Sequence, residues 1–131
     1  MCFRTDLEPC TLQGVPDRLG RAVNNVLDNA GRHSPPHGVV EVVLRGGTLS
    51  VRDHGPGVGA DELTLLFDRF FRGAGARERQ GSGLGLAIVR QVVESHGGTV
   101  EAANAGGGGL ILRLTFPAVD VSIPNLGVRV A

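Results

Sequence analysis

Asn25 and Asn29 stand four residues apart in the run Arg21-Ala-Val-Asn-Asn-Val-Leu-Asp-Asn-Ala-Gly-Arg32. On a helix that spacing places both side chains on one face, with Arg32 a further turn along. Asparagine is a mediocre helix former, because its amide competes with the backbone for hydrogen bonds. Two on one face suggest a polar surface with a task. Neutral amide oxygens suit a hard cation such as Mg²⁺, which usually keeps several waters and shares its shell with substrate phosphates. An arginine one turn on can meet a phosphate oxygen. Taken singly, each of these residues reads as part of a solvated helix face. What favours a site is the order of the glycine turns downstream, Asp53-His-Gly-Pro-Gly57 and then Gly81-Ser-Gly-Leu-Gly-Leu86. Amide, acid, glycine and arginine in this order read as a nucleotide site.

Asp53 closes an apolar run, and its carboxylate can accept a hydrogen bond from an exocyclic amine such as adenine N6. The alternative is a strand ending in an Asx-type turn. Gly55 and Gly57 permit positive φ and let a ligand approach the backbone. Gly81, Ser82, Gly83, Leu84 and Gly85 lead straight into a helix, whose free N–H groups and positive dipole end favour phosphate. A dinucleotide fingerprint needs a strand just before it, and here a loop precedes it. A Walker P-loop needs a lysine, and the chain has none. Phe67, Phe70 and Phe71 are three of the five phenylalanines. They read as core, or as the apolar anchor of a lid. Among Arg69, Arg72, Arg77 and Arg79, one can stabilise charge on a transferring γ-phosphoryl group, while the rest are solvated.

The elements that position these residues follow from periodicity. Residues 2–8 alternate as a strand, and 11–13 extend an edge pairing. Pro16 suits the first turn of a helix running to about residue 32, with Leu19, Ala22, Val23, Val26, Leu27 and Ala30 as its apolar stripe. Ser34-Pro-Pro36 ends it. Two β-branched runs, 39–45 and 48–53, flank Gly46-Gly47 as a hairpin. Residues 61–71 are expected to form a short helix, and 73–81 a mobile polar loop. A second long helix spans 84–96 and stops at Gly97-Gly98. Strands at 99–103 and 110–116 flank a glycine-rich turn at 106–109. The expected fold is an α/β two-layer sandwich, a mixed but mostly antiparallel sheet covered on one face by helices. Residues 1–117 form one domain, and 118–131 a tail of no evident role.

At 131 residues, with 13 basic residues (all arginine) against 13 acidic ones, the chain offers no charge excess toward nucleic acid or a membrane surface. No run of about eighteen apolar residues exists, and no signal-peptide pattern. Cys2 and Cys10 are spaced unlike metal ligands and read as free thiols in a reducing compartment.

These motifs together resemble the catalytic ATP-binding domain of bacterial sensor histidine kinases, within the superfamily that includes DNA gyrase and the Hsp90 chaperones. The likeness covers about residues 16–117. Asn25-Val-Leu-Asp-Asn-Ala30 resembles the N box, Asp53-His-Gly-Pro-Gly57 the G1 box, Leu66-Phe-Asp-Arg-Phe-Phe-Arg72 the F box, and Gly81-Ser-Gly-Leu-Gly-Leu86 the G2 box. The glycines at 106–109 and the closing Thr115-Phe-Pro117 resemble the usual end of the domain. The resemblance implies the Bergerat fold, ATP and Mg²⁺. It implies that Asn29 ligates the metal with Asn25 nearby, that Arg32 contacts phosphate, and that His33 packs on the adenosine. Asp53 would read adenine N6, Gly57 would admit the base, Arg72 would face the γ-phosphate, and residues 59–81 would form the ATP lid.

One position chooses within that superfamily. The hydrolysing branches place a glutamate where Asn25 stands, to activate water. Asp28 is three residues on and does not replace it. Without that base ATP persists until an acceptor arrives, which favours phosphotransfer. The kinases resembled carry an acceptor histidine followed by an acidic residue. The four histidines here are followed by Ser34, Gly38, Gly55 and Gly97. The expected partner is therefore a histidine-bearing dimerisation domain, in cis or on a separate kinase chain, with a response regulator downstream. The expected location is the cytoplasm, with any membrane anchor in the parent or partner. Two alternatives remain: a serine kinase of the anti-sigma-factor type, against which the phenylalanine-rich F box argues, and a nucleotide-sensing module without transfer.

Overall fold

The computed structural model describes residues 2–7, 14–68 and 85–117. Their elements run β1 (Cys2–Leu7), α1 (Pro16–His33), β2 (Val39–Arg45), β3 (Thr48–Arg52), α2 (Gly85–Ser95), β4 (Thr99–Asn104) and β5 (Leu110–Thr115). The five strands form one sheet in the order β1-β2-β3-β5-β4. β1 pairs parallel to β2, and every other pairing is antiparallel. The expected mixed α/β sandwich is therefore the fold.

Alternation decides which face carries the helices. Val42, Val51 and Leu112 sit opposite one another across β2, β3 and β5, and all three are buried. They pack with Leu19, Ala22 and Val26 of α1 and with Val89 and Val93 of α2. The other sheet face is polar. There Glu41 lies 3.4 Å from His54 Nε2 and within 4 Å of Arg4 and Arg52, and Arg45 pairs with Asp6. Exposed pairs of this kind contribute little stability, and they leave the apolar face to hold the layers together.

α1 starts at Pro16, whose missing N–H is no loss in the first turn. Val15, at the cap position, has no side-chain oxygen to offer. Instead its backbone N–H donates to His96 Nε2 at 3.0 Å, while Nδ1 of the same ring contacts the Val92 carbonyl at 2.7 Å. His96 thus ties the start of α1 to the end of α2. α2 closes in a Schellman motif: Gly97, at φ 79°, donates to the Glu94 carbonyl, and Gly98 donates to that of Val93.

Over 61–68, the described part of the helix expected at 61–71, no helix forms. Through residue 68 the chain makes consecutive turns, with Glu62, Leu65 and Asp68 each donating to the carbonyl three residues back. Short segments rarely sustain α-helical bonding unaided. Here burial of the adjacent Leu66 and Phe67 holds the segment in place. The edge extension at 11–13, the end of that segment at 69–71, the mobile loop and the tail at 118–131 lie outside the described residues.

Two substitutions should shift stability in opposite directions in urea denaturation. His96→Ala removes the acceptor for Val15 N–H and should cost about 1 kcal/mol. Gly20→Ala lies in the middle of α1 with nothing within 4 Å of its new methyl group. It should add about 0.5–1 kcal/mol by relieving the glycine's entropy cost.

Candidate functional site

The polar face of α1 forms as its spacing predicts. Asn25 and Asn29 are both half-buried, and Arg32 lies exposed. Asn25 Nδ2 donates to the Gly85 carbonyl at 3.3 Å, which joins the middle of α1 to the first residue of α2. One turn on, His33 donates from Nδ1 to the Asn29 carbonyl at 2.7 Å, so the ring carries a proton on Nδ1. Asn29 Nδ2, His33 Nε2 and Ser34 Oγ are buried without hydrogen-bond partners among the described residues. A buried polar atom left unpaired costs about 1–3 kcal/mol. Several at one helix end mark a place where a ligand or water completes the bonding.

Asp53 follows β3 and is 2% exposed. Its Oδ1 accepts from Gly55 N at 2.8 Å and from Leu110 N at 3.3 Å, while its own N–H donates to the Leu110 carbonyl at 3.1 Å. Both readings of this residue are therefore compatible. One carboxylate oxygen builds the Asx-type turn and ties it to β5. Among the described residues the recorded bonds all fall on Oδ1, which leaves Oδ2 for an incoming donor.

Gly55 does not use the positive φ that glycine permits. Its missing side chain makes room for α1, since a Cβ there would overlap the His33 carbonyl oxygen. That contact presses the Asp53 loop against the last turn of α1 and brings the two groups of residues together. Gly57 does take a positive φ, of 73°. Its close neighbour in the structure is Asn104, whose Oδ1 would lie 2.6 Å from a Cβ at position 57.

Among the described residues, a Cβ at Gly85 would meet nothing within 4 Å. None of them requires glycine there, and the free N–H groups at the start of a helix favour phosphate. Arg72, Gly81, Ser82, Gly83 and Leu84 lie outside the described residues. The span 59–81, expected as a lid, begins with anchored chain: Phe67 is buried in the core, and Asp68 pairs with Arg90 of α2 at 3.4 Å.

Sequence reasoning missed Asn104, Arg52 and His96. Asn104 Oδ1 accepts from Val58 N at 3.0 Å, and its Nδ2 donates to the Val58 carbonyl at 2.6 Å. Arg52 Nη2 donates to the Gly106 and Gly108 carbonyls at 3.2 and 3.1 Å. An asparagine at a strand end reads as a turn former, and only the fold reveals partners 46 residues away.

The residues present fit a nucleotide carrying a hard cation. Asn29 offers a neutral amide near the end of α1, and Gly85, held by Asn25 one turn earlier, starts α2. No group of three or more His, Cys, Asp or Glu exists among the described residues. A cation here would take most of its shell from phosphate oxygens and water, as Mg²⁺ commonly does.

Residues 14–120 match the family model described as histidine kinase-, DNA gyrase B-, and HSP90-like ATPase. The signal transduction histidine-protein kinase/phosphatase MprB of Mycobacterium avium is 46% identical over 112 residues, which cover 82% of this chain and 22% of that protein. The sensor histidine kinase component HK1 of Mycobacterium tuberculosis is 46% identical over 104 residues, 78% of this chain and 62% of that one. A solved structure of mycobacterial sensor histidine kinase MprB superposes with a TM-score of 0.81 at 44% identity, covering 88% of this chain and 82% of that one.

Asp53 substitutions test the carboxylate's architectural role. Asp53→Ala strands the N–H groups of Gly55 and Leu110 and should lower unfolding free energy by about 1–3 kcal/mol. Asp53→Asn keeps an acceptor oxygen and should lose clearly less. Equal losses in chemical denaturation would contradict the two-bond role of Oδ1.

Proposed function

The chain belongs to the histidine kinase-, DNA gyrase B- and HSP90-like ATPase family, and we propose on that footing that it binds ATP with Mg²⁺ and phosphorylates a histidine on another domain or chain. The observation that carries this reading is the contact between Gly55 and the His33 carbonyl. It sets the last turn of α1, which carries Asn29 and His33, beside the loop of Asp53. A cation-binding amide and a base-reading carboxylate then serve one ligand. When bound, ATP·Mg²⁺ supplies the γ-phosphoryl group, whose bond to the departing ADP oxygen breaks as one to the acceptor's imidazole nitrogen forms.

Each residue then has a role. Asn29 offers its amide oxygen to the cation, and Arg32 meets a phosphate oxygen. His33, fixed by its bond to the Asn29 carbonyl, packs on the adenosine. Asp53 accepts from the base's exocyclic amine through Oδ2. Gly57 lets the base approach. Gly85, at the start of α2, faces phosphate, with Gly81, Ser82, Gly83 and Leu84 completing that turn and Arg72 facing the γ-phosphate. Catalysis is positioning plus electrostatics.

Asn25 supports transfer over hydrolysis. Its amide is occupied on the Gly85 carbonyl and cannot take a proton from water. Asp28, three residues on, is exposed. The acceptor lies outside this chain on this reading. His33 is engaged through Nδ1 and its Nε2 is buried, His96 is engaged through both ring nitrogens, and His54 faces Glu41. A relative named as a kinase component supports a partner chain; the chain's 22% share of longer relatives fits a domain in cis equally. A response regulator would receive the phosphoryl group next. No helix among the described residues is long and apolar enough to cross a membrane. We place the segment in the cytoplasm, with any anchor elsewhere.

Incubation with radiolabelled ATP, Mg²⁺ and a separately purified cognate dimerisation domain should label a histidine of that domain, as acid-labile phosphate. Labelled serine with histidine untouched would refute the proposal. Asn29→Ala should cut this Mg²⁺-dependent transfer by about 100-fold or more, the scale of losing one preorganised electrostatic group. Its circular dichroism should match the wild type.

A further inference from the structure

We infer that Asn104 is a positioning residue for recognition of the adenine base, an inference that rests on Asp53 reading that base. Asn104 is the last residue of β4 and faces Leu110 of β5 in the register of the hairpin. Its amide makes two bonds to one residue, accepting from Val58 N at 3.0 Å and donating to the Val58 carbonyl at 2.6 Å. The pair imitates one rung of a β-ladder. Leu110, the other half of the same hairpin rung, takes the opposite end of the loop through its two bonds with Asp53. The segment from Asp53 to Val58 is thus a strap clamped at both ends to a single rung.

Between those clamps lie His54, Gly55, Pro56 and Gly57. Gly57 holds φ at 73° and leaves room for the Asn104 amide, so the glycine serves the clamp as well as any ligand. Among the described residues no other side chain is recorded bonding to the backbone of 56–58. Arg52 steadies the platform from behind, with Nη2 donating to the carbonyls of Gly106 and Gly108 in the turn between β4 and β5. Without the clamp, the far end of a Gly-Pro-Gly strap samples many conformations. Only a fraction of molecules then presents the slot beside Asp53, and apparent affinity falls in proportion. The phosphate end of the ligand, held by α1 and the start of α2, is unaffected. Asn104 therefore acts on which base is bound more than on whether a triphosphate is bound.

The test measures binding of ATP and of ITP, which carries a carbonyl in place of the exocyclic amine, to the full chain with Mg²⁺ by calorimetry. Wild type should prefer ATP, and Asp53→Asn should lose that preference. Asn104→Ala should weaken ATP about 10-fold, the scale of two ordinary hydrogen bonds partly coupled to binding, while moving ITP little. Asn104→Asp should do likewise, because its carboxylate cannot donate to the Val58 carbonyl. An unchanged ATP-to-ITP ratio in both Asn104 variants, with Asp53→Asn altered, overturns this inference and leaves the Asp53 reading intact. No preference in the wild type, or none lost in Asp53→Asn, sinks the Asp53 reading and this inference with it. Hydrogen exchange on the wild type checks the clamp whether or not a variant folds. The Val58 amide should exchange more slowly than its neighbours, and exchange at the rate of a free peptide overturns the inference.

Discussion

The buried carboxylate of Asp53 is the constraint on which the site depends. A charge-bearing group this enclosed must be well bonded, and Oδ1 takes both N–H groups that the turn offers, from Gly55 and Leu110. Those two bonds fix where the loop after β3 leaves the sheet. They also fix how close β5 must lie, so that a Cβ at Gly109 would overlap the Asp53 carbonyl oxygen. Glycine at 109, with φ of 94°, is thus a consequence of the carboxylate's position as much as of the turn.

From that fixed loop the remaining parts follow by contact. Gly55 has no side chain, so the end of α1 settles against the loop and carries Asn29 and His33 with it. Asn25, one turn earlier, bonds to Gly85 and sets the start of α2. The far end of α2 returns through His96 to cap the first turn of α1. Polar bonds at both ends of α2 link it to the middle and the start of α1, across an apolar seam of Val26, Val89 and Val93. The seam supplies the free energy and the polar links supply the register.

Much of this was legible in the sequence, for identifiable reasons. The β-branched runs around Gly46-Gly47 announced the hairpin, because period-2 alternation and a two-glycine turn have few other solutions. α1 was legible from Pro16 and its apolar stripe, and the end of α2 from Gly97-Gly98. Residues 61–68 misled because an acidic start and adjacent apolar residues resemble a helix, whereas burial of Leu66 and Phe67 is satisfied equally well by turns. The packing of Gly55 against α1 was not legible, since close approach of another backbone leaves no local signature. Asn104 and His96 carried no signal at all, because each acts on a residue more than forty positions away. Local pattern revealed the elements, while the contacts that bind them into a site belong to the fold.

On the proposed function, the end of α1, the loop after β3 and the start of α2 form one nucleotide site. The direct measurement is amide chemical-shift mapping of the isotopically labelled full chain, titrated with Mg²⁺ and a non-hydrolysable ATP analogue. Shifts should concentrate at Asn29, His33, Gly55, Val58 and Gly85. Shifts that gather instead around Glu41 and Arg113 on the open sheet face, or a spectrum unmoved by saturating analogue, would contradict the account.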